Sequence, residues 1–271
     1  MRSSCAALAL SVLAAAPAAA ETRYDCVMDP PVVIALGSAV PGLLSEVAVA
    51  RGERVEAGQL VARLDTTVEE ATRDLLSTRV ESTAAIEAQA ARLGFIESRR
   101  ERVRELFDRG VSTQEALDEV ESAAIEARAA LTQVRMEQAV AEKELARAEA
   151  AIRLREIRAP VGGIVQERAL SPGEYMHQES HVAVIVQLDP LHVEAFLPVE
   201  TYGSVEAGDE AVVHPAAPVS GAYAATVEVV DRVFDAASGT YGVRLTLPNP
   251  DGALPGGHRC EVQFAGGPAG G

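Results

Sequence analysis

Two histidines in the second half of the chain have the spacing of a metal-ligand pair. His177 and His181 stand four residues apart, and Met176 precedes the first of them. Imidazole and thioether groups bind transition metals, but a pair at this spacing converges on one face only in a helix. Glycine, proline and short apolar runs around these residues predict strand or turn. We therefore predict no metal site, and we expect the five histidines to be structural or exposed.

Serine, histidine and aspartate are all present, but no catalytic motif such as a nucleophile elbow accompanies them. We predict a protein that is not an enzyme and has no cofactor.

The first twenty residues have the layout of a cleavable secretory signal. Arg2 is followed by an apolar run over residues 6–16 and by three alanines before Glu21. We expect cleavage near Ala20 and an exported, soluble, unanchored mature protein. Because an exported chain meets an oxidising compartment, Cys26 and Cys260 can pair. A disulfide is favoured, and two separate buried thiols are the alternative.

The formal charge of the chain is strongly negative. It carries 40 acidic and 24 basic residues, for a net charge of −16 at pH 7. This balance repels phosphate backbones and anionic lipids, so we predict that the protein does not bind nucleic acid.

Residues 66–156 predict two long antiparallel helices with a turn near residues 108–113. The second arm carries a heptad seam interrupted by one polar residue, Gln138. The seam consists of Leu117, Val120, Ala124, Ala127, Leu131, Val134, Gln138, Ala141, Leu145, Ala148 and Ile152. The first arm is less regular, and its predicted stripe is Val68, Leu75, Ile86, Ala90, Leu93, Ile96, Val103 and Leu106.

The turn itself has recognisable helix-end residues. Gly110 can take the left-handed conformation that ends a helix, and Ser112 with Glu115 forms a capping box for the next one. Since polar residues cover the outer faces, we predict a protruding hairpin, with a compact helical bundle as the alternative.

Short β-type runs flank the hairpin on both sides. Residues 31–65 and 157–188 each read as a glycine turn, a β run, a charged turn with glycine and a second β run. This is the pattern of one biotinyl/lipoyl-like β-sandwich split by a helical insertion. A third region, residues 190–264, predicts a small antiparallel β-barrel, and residues 265–271 a disordered tail. The predicted fold class is α+β and elongated: split sandwich, coiled-coil hairpin, then barrel.

The two half-sandwiches resemble those of periplasmic adaptor proteins, also called membrane fusion proteins. The segment GLLSEV at 42–47 with GERVEAGQLV at 52–61 resembles their first lipoyl half, and IRAPVGGIV at 157–165 their second. GGHRCEV at 256–262 resembles the closing barrel strand. The resemblance implies a periplasmic subunit of a tripartite efflux pump, most similar to the resistance-nodulation-division type. Its partners would be an inner-membrane efflux transporter, an outer-membrane channel protein and further copies in a homo-hexamer.

The family also implies a site at the hairpin tip. An arginine, a leucine and a serine there contact the exit duct, and Arg102, Leu106 and Ser112 are the matching types. Val111 and Thr113 are neighbouring candidates. Structural roles remain open, a helix cap for Ser112 and a seam contact for Leu106. Many family members add a membrane-proximal domain, which we expect to be missing here, with a Cys26–Cys260 bridge tying an N-terminal strap to the last barrel strand.

The position of Lys143 argues against a carrier domain with a covalently attached cofactor. Biotinylation or lipoylation needs a lysine at an exposed β-turn, and the only lysine of the chain lies in a predicted helix. A carrier-domain enzyme subunit is therefore a remote alternative. An adaptor of an ATP-driven exporter is a near one, and a free-standing coiled-coil scaffold would not need a split sandwich.

Overall fold

A computed structural model describes residues 22–265. The predicted signal peptide and residues 266–271 of the predicted tail lie outside the described residues. The chain forms two compact units, one made of residues 22–34 and 186–265 and the other of residues 35–185. The first contains the barrel, and the second contains the hairpin and most of the sandwich. The predicted fold class is confirmed.

The sandwich consists of two four-stranded sheets, and each sheet takes strands from both sides of the hairpin. Its strands are β2 (Val32–Leu36), β3 (Gly42–Val47), β4 (Arg54–Val55), β5 (Leu60–Leu64), β6 (Glu156–Arg158), β7 (Gly163–Arg168), β8 (Tyr175–Met176) and β9 (Ala183–Gln187). The strand orders are β2-β9-β7-β4 and β6-β5-β3-β8. Neither half of the sequence can therefore form a complete sheet alone.

Side chains on the inner faces alternate along these strands and fill the space between the sheets. Buried members from the first half are Leu44, Val55, Val61 and Leu64, and from the second half Ile157, Val165, Met176 and Ile185. The apolar core is thus shared by segments that are about a hundred residues apart in sequence.

The hairpin has one continuous arm and one broken arm. The broken arm consists of α1 (Thr67–Glu81) and α2 (Ala84–Asp108), and the continuous arm is α3 (Gln114–Arg153). Both α1 and α2 pack against α3. Every position of the predicted α3 seam is buried or half-buried, so the seam is confirmed.

The stripe predicted for the first arm is partly wrong. Val68 is 73% exposed and Leu75 is 71% exposed, and Ala90 and Leu106 are also exposed. The inward residues of α1 are instead Arg73, Leu76 and Val80 among others, and those of α2 are Ile86, Leu93, Ile96, Val103 and Phe107 among others.

The inward stripe changes phase at the break between α1 and α2. The step from Val80 to Ile86 is six residues, whereas a continuous heptad stripe would require seven. The extended backbone of Ser82, with φ −78° and ψ 97°, interrupts the helix there and turns the next stripe back towards α3. A single stripe assumed for the whole arm therefore selected the wrong face of α1.

The two ends of the hairpin meet on the sandwich. The Leu64 amide donates to the Arg155 carbonyl at 2.9 Å. The Arg155 guanidinium donates to the Asp65 carbonyl at 3.3 Å and to Glu69 Oε1 at 2.5 Å. This half-buried ion pair joins the segment that follows α3 to the first turn of α1.

The barrel is closed and has six antiparallel strands. They are β1 (Tyr24–Asp29), β10 (Leu191–Pro198), β11 (Glu210–Pro215), β12 (Tyr223–Val230), β13 (Thr240–Leu247) and β14 (His258–Phe264), in the order β1-β10-β13-β12-β11-β14. The predicted barrel range of 190–264 does not include β1, which lies between β10 and β14. Every second residue points into one apolar core, which includes Met28, Val193, Leu245 and Val262.

Candidate functional site at the hairpin tip

The tip of the hairpin is a well-defined helix C-terminus followed by a short turn. Gly110 has φ +74°, the left-handed region that favours glycine. Its amide donates to the Phe107 carbonyl, and the Val111 amide donates to the Leu106 carbonyl, both at 2.8 Å. These two bonds form a Schellman motif, which satisfies carbonyls that the end of α2 would otherwise leave unpaired. The predicted role of Gly110 is confirmed.

The helix cap after the turn is Thr113, and the predicted capping box of Ser112 with Glu115 is wrong. Thr113 has extended backbone, and its hydroxyl accepts from the Ala116 amide at 3.2 Å. The capping position falls one residue later than predicted because Gln114, rather than Thr113, is the first helical residue. Both residues are capping types, so local sequence alone did not distinguish them.

The three predicted contact residues lie around this turn. Arg102 and Leu106 are four residues apart on α2, so they share one face. The Ser112 amide lies 3.3 Å from the Leu106 carbonyl, which brings these two residues together. The Ser112 side chain is half-buried, Leu106 is 40% exposed, and Val111 is 73% exposed. Leu106 is therefore not a buried seam residue, and with Val111 it gives the tip an apolar surface.

Salt bridges hold some of the charged residues near the tip. Arg104 on α2 pairs with Glu121 on α3, and Arg109 pairs with Glu105 at 3.3 Å within α2. Arg102 is exposed and forms no salt bridge within residues 22–265. The tip thus presents one uncommitted guanidinium beside an apolar surface, which suits a partner with carboxylate or carbonyl oxygens.

The barrel carries a second exposed apolar feature that sequence reasoning missed. Tyr202 packs edge-on against Phe234 and Tyr241, with ring centroids 4.9 and 5.3 Å away. Phe234 is 42% exposed and the adjacent Val233 is 84% exposed. Strand β12 ends at Val230, so Val233 lies in the loop that follows it. In the sequence, the signal for this exposed feature was the apolar pair Val233 and Phe234 within a segment rich in turn residues.

Hydrogen bonds order this loop. The Asp235 carboxylate accepts from the Ala237 amide at 2.9 Å. This bond and those from Ser238 hold the pKa of Asp235 below its ordinary value. The Val199 amide donates to the Gly239 carbonyl at 3.0 Å, which joins the loop to the end of β10. The exposed apolar residues are therefore presented on a fixed backbone.

The two cysteines are joined by a disulfide. Cys26 on β1 and Cys260 on β14 are register partners with Cα atoms 4.9 Å apart, and both are buried.

Two of the histidines singled out from the sequence make local contacts. His177 packs against Tyr175 and His258 bonds the Ala216 carbonyl. No group of three or more potential metal ligands occurs within residues 22–265. Lys143 is an exposed residue of α3. Among the helices that the structure describes, none combines the length and apolarity needed to span a bilayer.

Comparison with known proteins identifies the fold. Residues 190–268 match the family model described as CusB-like, beta-barrel domain. MacA from Actinobacillus actinomycetemcomitans is 19% identical, and the superposition covers 90% of this chain and 79% of MacA with a TM-score of 0.73. The membrane fusion protein Spr0693 from Streptococcus pneumoniae R6 is 15% identical, with coverages of 90% and 98% and a TM-score of 0.57.

A third match is a chimera of MacA with the α-hairpin domain of Pseudomonas aeruginosa MexA. It is 17% identical, with coverages of 91% and 82% and a TM-score of 0.53. No curated protein sequence matches the chain. The chain therefore has the fold of membrane fusion proteins, which confirms the resemblance noted in its two half-sandwiches.

Proposed function

We propose that this protein is a periplasmic adaptor of a tripartite efflux system, which joins an inner-membrane transporter to an outer-membrane exit duct without catalysing a reaction. The observation that carries the proposal is the inserted hairpin. The 40 residues of α3 extend about 60 Å, which suits a bridging element. An ordered apolar tip at the far end of this hairpin is a surface suited to a protein partner.

The tip would contact the exit duct. In this proposal Leu106 and Val111 supply the buried apolar contact, and Arg102 and Ser112 supply polar contacts at its edge. Interface energy commonly concentrates in a few apolar anchors and arginines surrounded by weaker contacts. The left-handed Gly110 and the Thr113 cap keep these four side chains in a fixed arrangement, which lowers the entropy lost on binding.

The transporter would meet the barrel, and the ordered loop with Val233 and Phe234 is its proposed contact. The assembly would be a homo-hexamer in the periplasm, held at the inner membrane by the transporter. Its transporter would be of the resistance-nodulation-division type. Energy and substrate choice would come from the transporter, while the adaptor contributes assembly and gating.

Site-specific photocrosslinking in the native host tests this proposal. A photoreactive amino acid at Val111 should give an adduct with an outer-membrane channel protein. The same probe at Val233 should give an adduct with an inner-membrane transporter, and mass spectrometry of that adduct tells a resistance-nodulation-division pump from an ATP-driven exporter.

Each position serves as the control for the other, since Val111 and Val233 are both more than 70% exposed. If exposure alone determined crosslinking, probes at both positions would capture the same proteins. If no outer-membrane protein is captured through Val111, Leu106 or Arg102, the proposed bridging role is wrong.

A further inference from the structure

Helix α3 carries a second stripe on the side opposite its seam. The residues of this stripe follow one another at alternating steps of three and four, which is the spacing of one helix face. All of them are exposed, and they are Ala129, Thr132, Met136, Ala139, Lys143 and Ala146. Met136 is 60% exposed, and Val140 beside it is 52% exposed. This stripe, the α3 outer face, is mostly apolar and contains no acidic residue.

The first arm of the hairpin carries a similar stripe that points away from α3. Its residues are all exposed, and they are Ala71, Leu75 and Thr78 on α1 and Ala88, Ala91 and Phe95 on α2. Leu75 is 71% exposed and Phe95 is 67% exposed. Single exposed apolar residues are common on monomeric proteins, but rows of them mark interaction surfaces. We name this stripe the first-arm outer face.

The charged residues of the two faces have opposite signs. Lys143 lies on the α3 outer face and Arg147 follows it one turn later, whereas Glu81 and Glu87 flank the first-arm outer face. All four side chains are exposed, and they form no salt bridge within residues 22–265. One molecule therefore presents a basic apolar face and an acidic apolar face on opposite sides of its hairpin. Such faces are complementary to each other, as a head-to-tail contact between identical copies requires.

The basic and acidic groups lie at the same height along the hairpin. Glu144 pairs with Arg79 across the two arms at 3.2 Å. Because the arms are antiparallel, the neighbouring residue Lys143 is level with Glu81 to within about one residue. If a second copy stood beside the first, parallel and without displacement along the hairpin axis, Lys143 of one copy would lie opposite Glu81 of the other.

The apolar groups are level in the same way. Arg128 pairs with Glu97 at 2.6 Å, which places Ala129 at the height of Phe95. In the same side-by-side arrangement, the Phe95 ring of one copy would pack on Ala129 of the next. Burial of an exposed phenylalanine against apolar neighbours supplies binding energy, while the exposed charges mainly determine orientation.

We propose that the α3 outer face binds the first-arm outer face of a second copy of this chain, with the two hairpins parallel and level. The inference rests on the homo-oligomer of the proposed function and assigns its contact surface on the hairpin. Since the two faces point in opposite directions, the contact is heterologous, and copies are added until a ring closes. Neither face includes the four tip residues, which stay free for another partner.

Cysteine pairs in the full-length chain test this contact in the native host. Thr78→Cys with Ala146→Cys, and Ala91→Cys with Thr132→Cys, join positions that the proposal places opposite each other in neighbouring copies. All four positions are exposed, and the substitutions leave the proposed contact residue Phe95 and the charged pair in place. After mild oxidation, non-reducing electrophoresis should show a ladder of dimers and higher oligomers for both pairs. The two native cysteines of the barrel are bonded to each other and do not react.

The same four substitutions provide the matched controls. Thr78→Cys with Thr132→Cys, and Ala91→Cys with Ala146→Cys, combine the same two faces at heights that differ by about 20 Å. These mismatched pairs should give only monomers. Each single variant should also stay monomeric, because in a heterologous contact no position meets itself. A ladder from a mismatched pair, a dimer from a single variant, or the absence of a ladder from either matched pair overturns the proposal.

Charge reversal tests the alignment of the two copies. In the chain with cysteines at positions 91 and 132, Lys143→Glu should slow crosslinking by about fivefold, and Glu81→Lys in the same chain should restore the rate. Arg135→Glu makes the same change of charge at an exposed position of α3 outside the α3 outer face. This control should alter the rate by less than about twofold. Equal slowing by Arg135→Glu, or no recovery in the double reversal, contradicts the proposed contact.

The ladder and the photocrosslinks at the tip report on different contacts. A ladder without a channel adduct at Val111 would support the surface between copies and contradict the bridging role. A channel adduct without a ladder would support the bridging role and contradict the surface. The two proposals can therefore fail separately.

Discussion

Cys26 and Cys260 face each other across two neighbouring strands, although 234 residues separate them in sequence. Cys26 is also opposite Ala195 on β10, so its strand is hydrogen-bonded on both sides. The disulfide therefore fastens the strand that closes the barrel to one of its two neighbours. The N-terminal segment is a full barrel strand as well as a strap.

Removing the disulfide should destabilise the barrel and leave the hairpin intact. We expect Cys26→Ala with Cys260→Ala to lower the free energy of unfolding by about 2–4 kcal/mol, because the unfolded chain regains the entropy of an open loop. Thermal unfolding followed by near-ultraviolet circular dichroism of the tyrosines measures the loss. The helical signal at 222 nm should remain unchanged at 25 °C, and its loss would contradict a local role.

Alanine substitutions at Gly110 and Gly94 should change the free energy of unfolding in opposite directions. Gly110→Ala should lower the free energy of unfolding by about 1–2 kcal/mol, because a residue with a side chain rarely takes a left-handed backbone conformation. Steric contact does not contribute, since an added Cβ would meet no atom within 4 Å. Gly94 lies inside α2 and has equally open surroundings. Gly94→Ala should stabilise by about 1 kcal/mol. Denaturant titration followed at 222 nm tests both, and equal effects would contradict the assigned conformations.

Alanine substitutions at Thr113 and Ser112 should have different effects on stability, because only Thr113 caps the start of α3. We expect Thr113→Ala to lower the free energy of unfolding by about 1 kcal/mol, because the Ala116 amide loses its acceptor. Ser112→Ala should leave stability within about 0.5 kcal/mol. In export assays with the native host, Ser112→Ala should nevertheless reduce efflux if this residue contacts the duct. Ser112→Ala with wild-type efflux would restrict its role to the turn.

The sandwich should fold without the hairpin. Removing residues 66–155 and joining the flanking strands with a short glycine-serine linker should leave a cooperative β protein, since Leu64 and Arg155 already lie within hydrogen-bonding distance. Circular dichroism and dispersion of the amide NMR signals provide the measurement. An unfolded product would show that the half-sandwiches need the helices to pair.

The carboxyl group of Asp65 should titrate below its ordinary range. Hydrogen bonds from the Thr67 hydroxyl and amide, at 2.6 and 2.9 Å, hold its pKa down. Because the folded pKa is lowered, its contribution to stability is complete above the unfolded pKa and is lost as pH falls through the folded one. Carboxyl ¹³C chemical shifts should show a higher pKa in Thr67→Val. An unchanged pKa would mean that the hydroxyl bond does not lower it.

Much of the fold followed from local sequence. The α3 seam repeats at three and four residues over 40 positions, which is long enough for one phase to be unambiguous. Gly110 marked the turn because few other residues take its backbone conformation. The repeated half-sandwich motifs marked the strands on both sides of the hairpin.

Three features were decided only in the folded molecule, and each depends on contacts between distant segments. The phase of α1 follows from where α3 lies, so Val68 and Leu75 gave no local sign that they face solvent. The place of β1 follows from barrel closure, which leaves a gap between β10 and β14 that only another strand fills. The hydrogen bond from the Gln138 side chain to the Val80 carbonyl depends on a break in the opposite arm. Periodicity within one segment cannot report these relationships, because the free energy that selects them comes from surfaces brought together by folding.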